Sequence, residues 1–269
     1  MTVAELIRIL DGYFPLSTQD SWDNSGLLIG AEEACVEGVL LALDVTQEVI
    51  DEAVDRHCNV VLSHHPLIFD GLKRLTTEEE QQRIVVSAIR KNLNIVAIHT
   101  PLDKSLEDGT SATLASMIGL RNCRVLIPEF CNGQPVYGYG VIGELEQPLS
   151  EEEFLHHLSE KVSPSGVLRT NGLTNRDIER VAICTGSAFE FAEKAYESNA
   201  DAYITADVKY HQFQRFKDML LIDMGHFESE VICMDIFLRV INKKIPNFAL
   251  CKSITSQNII KYYINTDGK

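Results

Sequence analysis

Positive charge is scarce in this 269-residue chain. Its 24 Lys and Arg stand against 39 Asp and Glu, a formal net charge of −15. General nucleic-acid binders and binders of anionic membranes draw their affinity from clustered cations, so the composition excludes both classes. A small phosphorylated substrate is still allowed, because a bound metal or local cation can reverse the field inside a cleft. Long apolar runs are missing too, none reaching the roughly 18–20 residues of a membrane helix. Met1–Leu10 holds Glu5 and Arg8 and lacks the basic-then-apolar order of a signal peptide, so the expectation is a cytoplasmic protein. There is no Cys-x-x-Cys. The seven cysteines, at 35, 58, 123, 131, 184, 233 and 251, are odd in number and scattered. They read as reduced, buried thiols rather than a disulfide frame or a thiolate zinc site. Gly-x-Ser-x-Gly and Walker loops are also lacking. Gly138-Tyr-Gly140-Val-Ile-Gly143 has dinucleotide-loop spacing, but it sits in an alternating β-like stretch with no βα turn and is set aside.

What is present is globular: 45% hydrophobic and 23% charged residues argue against disorder. Thr2-Val-Ala-Glu5 is a capping box ahead of an apolar stripe at Leu6, Ile9 and Leu10. Apolar runs at Val39–Leu43, Asn59–Leu62 and Ile95–Ile98 then alternate with helical patterns from Thr46 to His57, Glu79 to Asn92 and Thr110 to Ile118. Such alternation predicts βαβ units and an α/β fold with a largely parallel sheet. Ile127–Ser150, rich in Gly and Pro, reads as an antiparallel edge strand or hairpin and marks a domain change, giving lobes 1–126 and 127–269. A second capping box, Ser150 to Glu153, restarts the βα rhythm. Strands are predicted at Val181–Cys184, Ala202–Ile204 and Leu220–Ile222, with helices over Ser187–Ser198, Val208–Phe216 and Phe227–Asn242 and a last strand at Tyr262–Ile264.

Ligands of open α/β sheets bind beyond the carboxyl ends of the strands. Four such ends here carry Asp or His: Leu43-Asp44-Val-Thr46, Leu62-Ser-His64-His65-Pro66, Ile98-His99-Thr-Pro101-Leu-Asp103 and Asp223-Met-Gly-His226-Phe-Glu-Ser-Glu230. Adjacent strand residues face opposite ways, so His64 and His65 share a site only if the turn at Pro66 reorients one of them. His226 and Glu230, four apart at a helix start, share a face and suit a divalent metal. Three imidazoles and two carboxylates (His64, His65, Asp103, His226, Glu230) suit two metals with a carboxylate between them. The lack of thiolates points to Zn, Mn, Fe or Co.

These segments resemble the GTP cyclohydrolase 1 type 2 family, also called the NIF-three-like family. They are joined by Ser21-Trp-Asp-Asn-Ser-Gly-Leu-Leu-Ile-Gly30 and Tyr203-Ile-Thr-Ala-Asp-Val-Lys-Tyr-His211, and they run in family order over most of the chain, in the short form without a central inserted domain. The resemblance implies a two-lobed α/β protein with a dinuclear metal site in the cleft, the chain near 226–230 returning to complete it, and a ring-shaped homohexamer. It implies two divalent ions per subunit: His65 and Asp103 on one, His64 and His226 on the other, Glu230 bridging both. His99 and His211 are its candidates for proton transfer. The chain departs from the family pattern at Pro101, at Ala206 and in the glycine-poor loop after Ser187.

The implied activity is hydrolytic: water activated by the metal pair attacks C8 of the guanine ring of GTP, leading to ring opening and formate release. The alternatives are a metal-binding oligomeric adaptor without turnover and a metal-dependent phosphoesterase. Trp22 reads as a packing anchor, and Asp23 as either a turn or a cleft residue. His57 reads as a helix-terminal contact, His156-His157 as solvated surface, and Lys73, Arg74 and Lys209 as surface charge with phosphate binding as the alternative.

Overall fold

The computed structural model describes residues 1–131, 134–162 and 167–263. Eleven strands among them build two sheets. They are β1 (Gly26–Ile29), β2 (Val39–Ala42), β3 (Val60–Ser63), β4 (Asn94–Ala97), β5 (Arg121–Cys131), β6 (Gln134–Ser150), β7 (Arg169–Thr170), β8 (Asp177–Ile183), β9 (Ala202–Thr205), β10 (Leu220–Asp223) and β11 (Leu250–Lys252).

The first sheet runs β1-β4-β3-β2-β11, with β4, β3, β2 and β11 parallel and β1 antiparallel at the edge. Every residue of β2, β3 and β4 is buried, as expected of strands covered on both faces. Helices Val3–Asp11 and Cys233–Lys244 cover one face through Leu6, Leu10, Phe237 and Ile241. Helices Gln47–Asp55 and Glu80–Arg90 cover the other through Val49, Ile50, Ile84 and Val85. The capping box is present at the first of these helices: Thr2 Oγ1 accepts from Glu5 N at 3.2 Å, and Glu5 Oε2 accepts from Thr2 N at 2.9 Å.

The second sheet runs β5-β6-β8-β9-β10-β7, with a parallel centre of β8, β9 and β10. The Gly/Pro-rich stretch is the long antiparallel hairpin β5–β6, and Gly138, Gly140 and Gly143 lie within β6. Helices Thr110–Met117 and Glu151–Val162 pack on one face of this sheet. The sheets do not divide the chain at residue 126, which lies inside β5. The first sheet instead recovers the chain at Cys233–Lys244 and β11, and Ile232 packs against the cores of both sheets.

Several predicted elements differ. Val208–Phe216 forms only a 3-10 turn, Tyr210–Gln214, after Asp207 enters the left-handed region (φ 55°). Ser187–Ser198 is a 3-10 turn followed by a short helix, Ala192–Glu197. The helix expected over Phe227–Asn242 is two, His226–Glu230 and Cys233–Lys244. Tyr262 and Tyr263 form no strand, and Ile264 lies outside the described residues. No helix among the described residues is long and apolar enough to cross a membrane.

Candidate metal centre

The carboxyl ends of the parallel strands of both sheets face a common cleft, where α/β sheets place their ligands. From the first sheet come Asp44 after β2, His64 and His65 after β3, and His99 after β4, with Asp103 closing the single-turn helix Thr100–Asp103. From the second come Asp207 after β9, and His226 and Glu230 on the helix following β10.

Glu230 is the hub. It is buried, and its two oxygens face different partners. Oε2 lies 2.9 Å from His65 Nε2 and 2.9 Å from His226 Nε2. Oε1 lies 3.8 Å from His64 Nε2, which is itself 3.5 Å from Asp103 Oδ1. Two trios result, His65–His226–Glu230 and His64–Asp103–Glu230, with the ligand atoms of each within 4.8 Å of one another. All five expected ligands meet, but in a different pairing. His64 goes with Asp103 and His65 with His226, because adjacent imidazoles leaving β3 reach opposite oxygens of Glu230. Gly186 makes the hub possible: it sits at φ 69°, and a Cβ there would lie 2.1 Å from Glu230 Oε1.

Each imidazole is oriented from behind. An oxygen acceptor fixes the proton on the ring nitrogen facing it. His64 Nδ1–H donates to the Ile98 carbonyl (3.0 Å), His65 Nδ1–H to Asp44 Oδ1 (2.7 Å) and His226 Nδ1–H to Asp207 Oδ2 (2.7 Å). Every Nε2 therefore points at Glu230 or Asp103. His64 Nε2 is fully buried and has no hydrogen-bond partner. Its lone pair faces two carboxylate oxygens, an arrangement that a cation satisfies, so the residues present fit a divalent pair.

The electrostatics agree. Burial alone would lower His65, but its hydrogen bonds to Asp44 and Glu230 raise it to about 10. Burial is likewise overridden at His226, which the Glu230 and Asp207 contacts raise to about 9. Burial would push Glu230 up, yet the three imidazoles hold it well below the usual carboxylate range. Asp103 is raised by burial, with the neighbouring Glu230 charge adding to the effect.

His99 stands beside the trios. Its Nδ1–H donates to Asp23 Oδ1 (3.0 Å), and a ring nitrogen of His99 lies within 4.8 Å of ligand atoms on His64 and His65. Asp23 has no exposed side chain and also accepts from Ser25 Oγ (2.9 Å), Thr100 N (3.1 Å) and Thr100 Oγ1 (2.6 Å). Burial opposes its ionisation, but these donors hold it far below its ordinary value. His211, the other candidate for proton transfer, does not reach the cleft. It is exposed on the 3-10 turn after β9, its ring packs on Tyr210, and it does not line the cavity. Trp22 is no packing anchor: it is 58% exposed and lines the cavity with its ring against His99. His157, expected in solvent, binds the Ile118 carbonyl at 2.9 Å. Asp44 was among the strand ends noted from sequence; the residues that sequence reasoning missed, Asp207 and Gly186, carry the same signal, each following a strand by two or three positions.

A family profile described as Duf34/NIF3 (NGG1p interacting factor 3) matches residues 1–259. The chain belongs to the Duf34/NIF3 family. Relatives of this NIF3 chain include two proteins named GTP cyclohydrolase 1 type 2 homolog. The one from Clostridium acetobutylicum is 32% identical over 234 residues, covering 86% of this chain and 85% of that protein. The one from Campylobacter jejuni is 31% identical over 268 residues, covering 98% and 100%. A crystal structure of a Staphylococcus aureus hypothetical protein superimposes on the NIF3 chain with a TM-score of 0.88 at 30% identity, covering 98% of this chain and 99% of that one. A Bacillus cereus protein related to NIF3 shares the fold, with a TM-score of 0.88 at 22% identity.

Proposed function

We propose that this chain is a hydrolase dependent on two divalent ions and acting on a purine-type ring, the activity that its relatives' printed name carries. The observation behind this reading is the buried His64 Nε2, which faces Asp103 and Glu230 at 3.5 and 3.8 Å without a hydrogen-bond partner. His64, Asp103 and Glu230 Oε1 would hold one ion; His65, His226 and Glu230 Oε2 would hold the other. Such a pair supplies Lewis acidity and lowers the pKa of water from 15.7 towards about 7.

The chain's own residues do the rest. Asp44 and Asp207 lock the His65 and His226 tautomers so that both Nε2 atoms stay directed into the cleft. Asp23 does the same for His99, whose Nε2 takes the proton from attacking water and returns it to the departing ring nitrogen. Addition of one water across the C8–N9 bond opens the imidazole ring of guanine, and a second hydrolysis releases C8 as formate. The cavity over the ligands, about 590 Å³, is large enough for a heterocycle and is open to solvent, which favours turnover over an adaptor role. A homohexameric assembly is part of the same proposal; exposed Ile254, Ile259 and Tyr263 offer apolar surface for it.

The test is formate release from guanine compounds by protein reconstituted with Zn, Mn, Fe or Co, with Glu230→Ala as the blank. Release that disappears in the variant is the expected result. Absence of formate from metal-loaded protein on guanosine and GTP alike would refute the reading.

A further inference from the structure

The cavity above the metal ligands is aromatic and acidic. From the first lobe, Trp22 and Phe69 each meet the His99 ring edge-on at 5.6 Å, yet remain 58% and 43% exposed. From the second lobe, Tyr139 and Phe191 line the same cavity, stacked on each other at 5.2 Å and 26°. Large aromatic faces left bare around a concave site match the flat face of a heterocycle, which stacking recognises regardless of its hydrogen-bonding edge.

The charge of the cavity is one-sided. Asp44, Asp103, Glu190 and Glu230 line it, and no Lys or Arg does among the described residues. Asp23 and Asp207 stand directly behind His99 and His226. Two divalent ions would cancel four of these six carboxylates and leave the cleft net negative. The neighbouring cation is already committed: Lys104 is buried beneath the Tyr139 ring (5.0 Å) and donates to Asp20 (2.5 Å), Glu129 (2.7 Å) and the Thr18 carbonyl (3.1 Å). Phosphate sites ordinarily rely on Arg or Lys forks or on helix N-termini, and this cavity presents no such fork. The net charge of −15 adds a long-range repulsion of the same sign.

We infer that the cavity selects an uncharged planar heteroaromatic ligand, a purine base or nucleoside, over the corresponding nucleoside triphosphate. The inference rests on the metal-hydrolase reading for the occupancy of the site, and it narrows the substrate from nucleotide to nucleoside.

The test is isothermal titration of protein carrying two divalent ions per chain, verified by elemental analysis before and after, with guanosine and with GTP as probes. Guanosine should bind at least tenfold tighter than GTP. Trp22→Ala should weaken guanosine roughly five- to a hundredfold, the range for loss of one base–aromatic stack. Glu190→Lys should narrow the guanosine–GTP gap by roughly tenfold, through its two-charge change in the cavity lining. GTP binding as tightly as guanosine, or neither ligand binding, overturns the inference. Formate measured on the same samples separates the two claims. Guanosine preferred without formate supports the selectivity and removes the hydrolase reading, whereas tight GTP binding with formate does the reverse.

Discussion

Replacing Gly186 with Ala should remove one metal of the two. Gly186 sits at φ 69°, where a Cβ costs about 1–2 kcal/mol in backbone strain. The added Cβ would also lie 2.1 Å from Glu230 Oε1 and 3.1 Å from Glu230 Cδ, so the carboxylate must move. Oε2 is held at 2.9 Å by both His65 and His226, so the rotation withdraws Oε1, the oxygen shared with His64 and Asp103. Losing an outer-shell partner typically lowers metal affinity 10–100-fold; losing a direct ligand should exceed about 100-fold at the His64–Asp103 trio. The backbone strain alone should lower the Tm of metal-free protein by about 2–8 °C. Gly119→Ala is the control. It shares the left-handed conformation (φ 80°) but has open space around its Cβ, so it should lose similar stability and keep both metals. Elemental analysis after gel filtration and thermal unfolding with chelator read the two effects separately. Gly186→Ala protein retaining two metals at wild-type affinity would refute the division of Glu230 between two ions.

Asp44→Asn should cut affinity at the His65–His226 trio by about 10–100-fold and spare the other, measured by competition with a metal indicator, because only His65 loses its anchoring carboxylate. Asp23→Asn should keep both metals yet lower turnover by roughly 10²–10⁴-fold and shift the pH profile; an unchanged profile would mean that Asp23 only supports the fold. Glu52, which accepts from Ser253 Oγ (2.6 Å), Thr255 Oγ1 (2.6 Å) and the Ile254 amide (3.0 Å), is pushed against burial down to about 2 by these donors. A folded pKa below the ordinary 4.5 means its stabilisation, about 3 kcal/mol, is present above pH 4.5 and fades towards pH 2, so urea midpoints of wild type and Glu52→Gln should converge over that window. In the metal-free protein at pH 7, His65 and His226 (about 10 and 9) carry protons that metal must displace, and His64 is raised as well, so uptake should release at least about two protons per chain, visible as buffer-dependent titration heats.

That these five side chains would meet was legible because the signal is local: strand ends, a proline after paired histidines, and an i, i+4 His–Glu pair. His226 and Glu230 do meet, at 2.9 Å on one helix face. The pairing of ligands was not legible, since it depends on which oxygen of Glu230 each Nε2 reaches, and that is set by how two sheets face each other. His64 and His65 continue the β3 ladder, their amides donating to Ala42 O and Leu43 O, before Pro66 turns the chain. Asp44, Asp207 and Asp23 act through histidines 21, 19 and 76 residues away, so no local pattern ties each to its imidazole. The closing strand was misplaced for a similar reason. Leu250–Lys252 is short and only partly buried, and it becomes a strand because the exposed edge of β2 accepts it. The helix expected after β9 fails where Asp207 turns left-handed and its carboxylate accepts from His226, a contact at the cleft overriding an apolar pattern.

The site is divided between the lobes, and that division has an energetic consequence. His64, His65, Asp103 and the Asp23–His99 pair belong to the first sheet, while His226, Glu230 and Asp207 belong to the second. The first half alone brings His64, His65 and His99 together, but both trios that contain a carboxylate close through Glu230 of the second half. Half-buried Asp103 and buried Glu230 face one cleft, and without a cation the chain relies on protonated imidazoles to hold them together. On the proposed reading, ions bound across the cleft would replace those protons with stronger bonds to both lobes, so their binding energy would appear as resistance to lobe separation as well as to unfolding. The packing of Ile232 into both cores, two residues after Glu230, ties the hub mechanically to that interface. A change that loosens the interface should therefore be felt first as lost metal, before any loss of the two sheets themselves.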